Sequence, residues 1–310
     1  MKLAFVFPGQ GSQTVGMLAG WVGNPAIDAA MQRASTALGQ DLGALVEQGP
    51  AEELNLTVNT QPVMLACSVA MYDAWRQAGG PEPEVMAGHS LGEYSALTAA
   101  GTFSLEDAVR LVRIRASAMQ EAVPVGTGGM AAILGLDDET VLAVCSEAST
   151  DTIVEAVNFN APAQVVIAGH KDAVQRACDL AKAKGAKRAL LLPVSAPFHS
   201  RLLEPAAAVL QQALGELTLN MPRAEIINNV DVAVATSTQA IADALVRQAW
   251  HPVRWVETIR AMKARGVTHV VECGPGKVLA GLIKRIEPEL VTVSVNDQAS
   301  LDAALAQINA

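Results

Sequence analysis

Five residues, Gly88-His89-Ser90-Leu91-Gly92, spell G-x-S-x-G between a strand-like stretch, "EVMAGHS", and a helix-like one, "LGEYSALTAAG". In that context the pattern is a nucleophile elbow, a sharp strand-to-helix turn that lifts a serine hydroxyl above the sheet. Glycines two residues to either side let the chain turn without a Cβ clash. A helix beginning at Leu91 aims its free N–H groups at developing negative charge. The plainer alternative is a serine that caps the helix, but a cap does not require both glycines.

A serine at neutral pH needs a general base, and the chain has five histidines. His89 adjoins Ser90, where neighbouring side chains point apart. His170 falls in a turn, and His251 and His269 flank apolar segments. His199 lies in a proline-containing loop, "VSAPFHSRL", and such loops often carry catalysis. No Asp or Glu stands out as the third member of a hydrolase triad.

One cation is out of place. On the helix after Ser104, positions 108, 111, 112, 115 and 119 share a face by i, i+3, i+4 spacing, and Arg115 interrupts an apolar stripe of Ala108, Leu111, Val112 and Met119. Arg110 and Arg113 point elsewhere. An arginine so placed either snorkels out to water or pairs with an anion, an internal salt bridge being the plainer form of that pairing.

The elements that must position these groups alternate. Leu3–Phe7 reads as a strand and 26–38 as a helix. "NTQPVMLACSVAMYDAWRQAGG" reads as a helix with Asn59 or Thr60 as N-cap, Pro62 in the first turn and a Gly79-Gly80 stop. Ser104 and Asp107 are spaced like a capping box. Late strands are "EIINNV", "HVVEC" and "LVTVSV". This alternation predicts an α/β domain with a mostly parallel sheet. After a Pro/Gly linker, 124–129, the order becomes β-α-β-β-α-β, a ferredoxin-like pattern with a hairpin at 160–163. A small unit at 124–193 is therefore expected inside a larger domain formed by 1–123 and 194–310.

The 310 residues carry a net charge of −9, which argues against general nucleic-acid binding. The four cysteines, Cys67, Cys145, Cys178 and Cys273, form no C-x-x-C pair and read as reduced core thiols. No apolar run reaches membrane-spanning length, and a cytoplasmic location is expected. "GPGKVL" (274–279) lacks the Ser or Thr of a P-loop. In "FPGQGSQ", Gly9 and Gly11 lack the third glycine of a dinucleotide fingerprint, because Thr14 holds that place. Asn228 and Asn229 suit either a cleft wall or a turn. Lys182, Lys184, Lys187 and Arg188 form a basic cluster, read as a solvated helix face or as a docking patch for an acidic protein or for phosphates.

The stretches "FPGQGSQ", "GHSLGEYSAL", "VNFNAPAQVVIAG", "APFHS", "VRQAWHPVRW" and "ECGPGKVL" together resemble the malonyl-CoA:acyl carrier protein transacylase family, in family order and over nearly the whole chain. The resemblance implies an α/β-hydrolase-like large domain with an inserted ferredoxin-like domain. It implies Ser90 as nucleophile, His199 as base and the Gln248 carbonyl as the group that orients it. It further implies an oxyanion hole from the N–H groups of Gln10 and Leu91, and Arg115 as the binder of the malonyl carboxylate. Phe198 is expected to set acyl selectivity. Asn158, Gln164 and Gln61 are expected to line the cleft or contact the pantetheine arm. The implied substrates are malonyl-CoA and holo acyl carrier protein, with no metal or other cofactor, and a monomer is expected. A carrier of polyketide rather than fatty-acid synthesis fits equally, and a serine thioesterase or esterase is the reading from another class.

Overall fold

The computed structural model describes residues 1–194 and 196–309, so Ser195 of "VSAPFHS" and Ala310 lie outside it. The chain begins with β1 (Leu3–Phe7), α1 (Pro25–Leu38), α2 (Leu42–Gln48), α3 (Ala51–Leu54) and α4 (Thr57–Gln77). Next come β2 (Val85–Gly88), α5 (Leu91–Ala99) and α6 (Leu105–Glu121). The middle comprises β3 (Gly128–Leu134), α7 (Asp138–Ala148), β4 (Val154–Ala161), β5 (Gln164–His170), α8 (Lys171–Ala183) and β6 (Arg188–Leu191). The last third holds α9 (Pro205–Gly215), β7 (Glu225–Ile226), α10 (Thr238–Gln248), α11 (Trp255–Ala264), β8 (His269–Cys273), α12 (Val278–Ile286), β9 (Val291–Val295) and α13 (Gln298–Ile308).

Two sheets form. The first is parallel throughout, in the order β7-β2-β1-β8-β9. Its central strands are buried on both faces, as unbroken apolar runs in parallel sheets are. The second is antiparallel, in the order β4-β5-β3-β6, with α7 and α8 packed on it over Ile133, Val144, Ile167 and Val174. Its elements follow the β-α-β-β-α-β order expected from 124–193.

The parallel register places the chemistry. Phe7 pairs with Gly88, so β1 and β2 end side by side, and β7 ends next to β2. In open parallel sheets, ligand sites lie beyond the carboxyl ends of the strands. The loops after β1, β2 and β7 therefore meet at one edge. They carry Gln10, Ser90 and Asn229.

Several boundaries differ from expectation. α4 starts at Thr57 rather than after Asn59 or Thr60, with Leu56 as a cap that offers no side-chain bond. Asn59 and Thr60 instead donate to the carbonyls of Glu53 and Leu54, tying α3 to α4, and Pro62 lies inside the helix. Ser104 caps α6, but Asp107 receives the Ser104 hydroxyl instead of a backbone N–H, so only half of the capping box forms. β7 spans only Glu225 and Ile226, because Asn228 turns the chain by accepting the N–H of Asp231. β4 runs on to Ala161, which leaves Pro162 and Ala163 as the hairpin turn.

The elbow glycines are required by packing. A Cβ on Gly88 would stand 1.8 Å from the Gly92 carbonyl carbon, and one on Gly92 would stand 2.0 Å from the Phe7 oxygen. Both obstacles are backbone and cannot rotate away. Gly88→Ala should therefore lose about 3 kcal/mol or more, at or beyond the upper range for overpacking. Gly215→Ala, whose added methyl meets nothing within 4 Å, should leave stability unchanged or slightly raised. Urea unfolding of the two variants measures the contrast, and equal midpoints would refute it.

Candidate active site

Each reacting group sits where a backbone element ends. β2 stops at Gly88 and α5 begins at Leu91, which leaves Ser90 at φ 53° and ψ −111°. A non-glycine residue rarely holds such a conformation, and the elbow imposes it. Asn229, fully buried, holds the turn: its Oδ1 accepts the Ser90 N–H at 2.8 Å and its Nδ2 donates to the Gly88 carbonyl at 2.7 Å. Of the two asparagines, Asn229 thus supports the elbow and Asn228 makes a turn. Gly9 lies flat against the elbow, because a Cβ there would meet the His89 oxygen at 2.7 Å. Leu91 is the first residue of α5, so its N–H has no helical acceptor.

His199 is the histidine that reaches the serine. Its Nε2 lies 2.7 Å from Ser90 Oγ, and its Nδ1 lies 2.8 Å from the Gln248 backbone oxygen. A carbonyl only accepts, so Nδ1 carries the proton and the Nε2 lone pair faces the serine hydroxyl. Gln248 closes α10, where the last carbonyls have no helical donor. His199 supplies one. The remaining histidines have other partners. His89 Nε2 meets Asn160 Oδ1, His170 Nδ1 accepts the Ile153 N–H, His251 Nδ1 bonds the Arg247 carbonyl and His269 bonds Thr268.

Arg115 is 1% exposed and its guanidinium reaches the same spot. Nη1 donates to Gln61 Oε1 at 2.8 Å, while Nη2 donates to Gln248 Oε1 at 2.9 Å and to Ser90 Oγ at 3.2 Å. The Tyr94 ring lies 5.2 Å from the guanidinium carbon. Every one of these partners is neutral, so among the described residues the internal salt bridge left open by the sequence is not formed. The buried Nε has no acceptor there either. The site therefore presents, beside a nucleophile, a buried cation with no directly bonded carboxylate among the described residues.

Gln61 is fully buried beneath this arginine, not exposed in the cleft. It accepts from Arg115 and donates its Nε2 to Gln10 Oε1 at 3.0 Å. Because an arginine only donates, the polarity of the whole chain is fixed, and the Gln10 side chain acts as its terminal acceptor. Gln164 is not part of the group around Ser90: its Oε1 accepts from Arg285, which also bonds the Pro162 carbonyl. Asn158 is buried in β4, where the backbone bridges to Val253, a few residues beyond Gln248. Phe198 is half-buried and packs both on Met119 and Leu203 and on Met130 and Val157 of the second sheet. Lys182 and Lys184 pair with Asp179 and Glu147, as on a solvated face.

The sequence did not point to Glu93. It is 2% exposed, and its Oε2 accepts the Asn229 N–H at 3.0 Å and the Gln248 Nε2 at 2.9 Å. Burial pushes its carboxyl up to about 7, opposed by the Gln248 and Asn229 bonds. The available signal was one acid in α5, every residue of which is buried.

Burial, followed by the charge of Arg115, pushes His199 down to about 3, against the opposing pull of the Gln248 carbonyl. A base acts when unprotonated, so an imidazole with an ordinary value near 6.5 would lose half its activity at that pH. His199 should instead stay neutral well below it. Sulfonylation of Ser90 by an uncharged sulfonyl fluoride should keep an even rate from pH 8 to about 5, and His199→Ala should abolish it. Stopped-flow or mass-resolved labelling across that range checks the profile, and a midpoint near 6.5 would refute the depressed value.

The chain is similar to known proteins over nearly its whole length. Residues 4–295 match the acyl transferase domain family. The chain is 55% identical to malonyl CoA-acyl carrier protein transacylase of Escherichia coli K12 over 305 residues, covering 98% of this chain and 99% of that one. An acyl-carrier-protein S-malonyltransferase from Burkholderia pseudomallei superposes with a TM-score of 0.98 at 62% identity, covering 99% of this chain and 100% of that one. A malonyl-transacylase solved in complex with its type II polyketide acyl carrier protein superposes equally well, TM-score 0.98 at 52% identity, with coverages of 99% and 100%. The chain belongs to the acyl transferase family, among the malonyl-CoA:acyl carrier protein transacylases.

Proposed function

We propose that this protein moves malonyl from malonyl-CoA to the phosphopantetheine thiol of acyl carrier protein, through an ester on Ser90. One observation carries this reading. Arg115 is a buried guanidinium without a carboxylate partner among the described residues, and its Nη2 lies 3.2 Å from the nucleophile. A planar guanidinium fork suits a carboxylate, and the one it lacks is the free end of a malonyl group.

His199 Nε2 takes the proton of Ser90 Oγ as that oxygen attacks the thioester carbon. The oxyanion rests on the N–H groups of Leu91 and Gln10. The C–S bond then breaks, and His199 returns the proton to the departing coenzyme A sulfur. The carrier's thiol repeats the steps in reverse order, with its proton going to His199 and then to Ser90 Oγ. Phe198, next in sequence to the base, narrows the acyl pocket and favours malonyl over its branched analogue. Discrimination by one methyl group is worth about 1–3 kcal/mol.

The architecture behind this chemistry is an α/β-hydrolase-like domain, 1–123 and 194–310, with a ferredoxin-like unit inserted at 124–193. The strand order β4-β5-β3-β6 and the two helices packed on it support that description. Among the described residues no helix is long and apolar enough to cross a membrane, and we place the protein in the cytoplasm as a monomer acting in fatty-acid synthesis.

Intact mass should rise by one malonyl on exposure to malonyl-CoA and return to the starting value when holo carrier protein is added. Loss of malonyl to water without any carrier would make the protein a thioesterase instead. Removing one partner of a buried charge pair costs about 2–5 kcal/mol, so Arg115→Ala should slow malonylation about 30-fold or more while sparing acetylation. Equal loss with acetyl-CoA would assign Arg115 a structural role.

A further inference from the structure

Gln248 does two things with one residue. Its backbone oxygen holds His199, and its side-chain Oε1 holds Arg115. The second function requires a defined amide orientation, since the two ends of a glutamine amide are nearly identical in shape and opposite in hydrogen-bonding sense. The observed orientation gives Nε2 two acceptors, the Ser90 carbonyl at 2.9 Å and Glu93 Oε2 at 2.9 Å. Turned over, the amide would set its NH2 against the guanidinium and its oxygen against two other oxygens.

We propose that Glu93 is a positioning residue for acyl selection: it holds the Gln248 amide so that Oε1 faces Arg115. It acts through Gln248 and touches neither Arg115 nor the reacting atoms. It is itself held by the Asn229 N–H, and the side chain of Asn229 holds the Ser90 turn. Ser90, Asn229, Glu93, Gln248 and Arg115 thus form one hydrogen-bonded path that fixes the nucleophile relative to the carboxylate clamp.

The role belongs to an acceptor oxygen and not to a charge. Both donors converge on Oε2, and that oxygen still accepts when the other one is protonated. A carboxyl that burial pushes up to about 7 therefore keeps the amide in place in either state. Glutamine at position 93 retains an acceptor at the same reach. Aspartate retains the charge but withdraws it by about 1.5 Å, the length of one carbon–carbon bond.

This inference rests on the transacylase reading above, and the experiment separates the two. Single-turnover acylation of Ser90 by malonyl-CoA and by acetyl-CoA is followed by intact mass in the parent, E93Q and E93D, with near-UV circular dichroism as a check on folding. E93Q should stay within about 3-fold of the parent in malonyl-over-acetyl preference. E93D should lose about 10-fold or more of that preference. A parent protein that takes up no malonyl overturns the transacylase reading and this inference with it. A reactive parent in which E93Q fails to outperform E93D overturns the role of Glu93 alone.

Discussion

A guanidinium buried to 1% exposure with only neutral oxygens around it is the constraint on which the rest of the site depends. An arginine stays charged in a protein interior, and an uncompensated buried charge is strongly unfavourable. Among the described residues no carboxylate bonds this cation directly, and the buried Glu93 acts on it only across the Gln248 amide. The chain supplies two glutamine oxygens, a serine oxygen and the face of a tyrosine, each of which must point the right way. Gln61 is oriented by Gln10, and Gln248 by Glu93 and the Ser90 carbonyl. The same cation also pushes His199 toward its neutral form, so Arg115 helps keep that imidazole unprotonated.

The backbone groups of the site come from helix ends. The Leu91 N–H is free because α5 starts there, and the Gln248 carbonyl is free because α10 stops there. Helix termini leave such groups unpaired by necessity. In this fold the orphan carbonyl at the end of α10 fixes the tautomer of His199. Parallel pairing of β1, β2 and β7 then brings three loops to the same edge. Sheet register and helix ends therefore assemble the site together.

What could be read from the sequence follows from the range of the interactions involved. The elbow is local, so strand, glycines and helix signalled it directly. Arg115 was visible because a 3.6-residue period exposes any polar residue on an apolar face. The order of elements in 124–193 was likewise legible, and β3 to β6 pair as that order requires. Gln10, Gln61 and Gln248 were named through the family resemblance, but the contacts they make across the fold were not legible. The Gln10–Gln61 and Glu93–Gln248 contacts join positions 51 and 155 residues apart, and no periodicity encodes them. Asn59 and Thr60 misled for a related reason. Their side chains look like caps, but they bond carbonyls of the preceding helix instead of the N–H groups of their own.

The base has a carbonyl behind it where hydrolases place a carboxylate, and thioester exchange tolerates the difference. A carboxylate stabilises imidazolium, which matters most when the leaving group is a strongly basic amine. A thiol is far more acidic, with an ordinary value near 8–9, and departs with little help. A neutral carbonyl fixes the tautomer and leaves the imidazolium weakly held, so the proton is readily returned to sulfur. The reaction must also run with a thiol on either side of the acyl-enzyme, and a base that binds its proton lightly serves both directions. The carbonyl behind His199 and the glutamine oxygens around Arg115 thus leave both groups without a directly bonded carboxylate among the described residues.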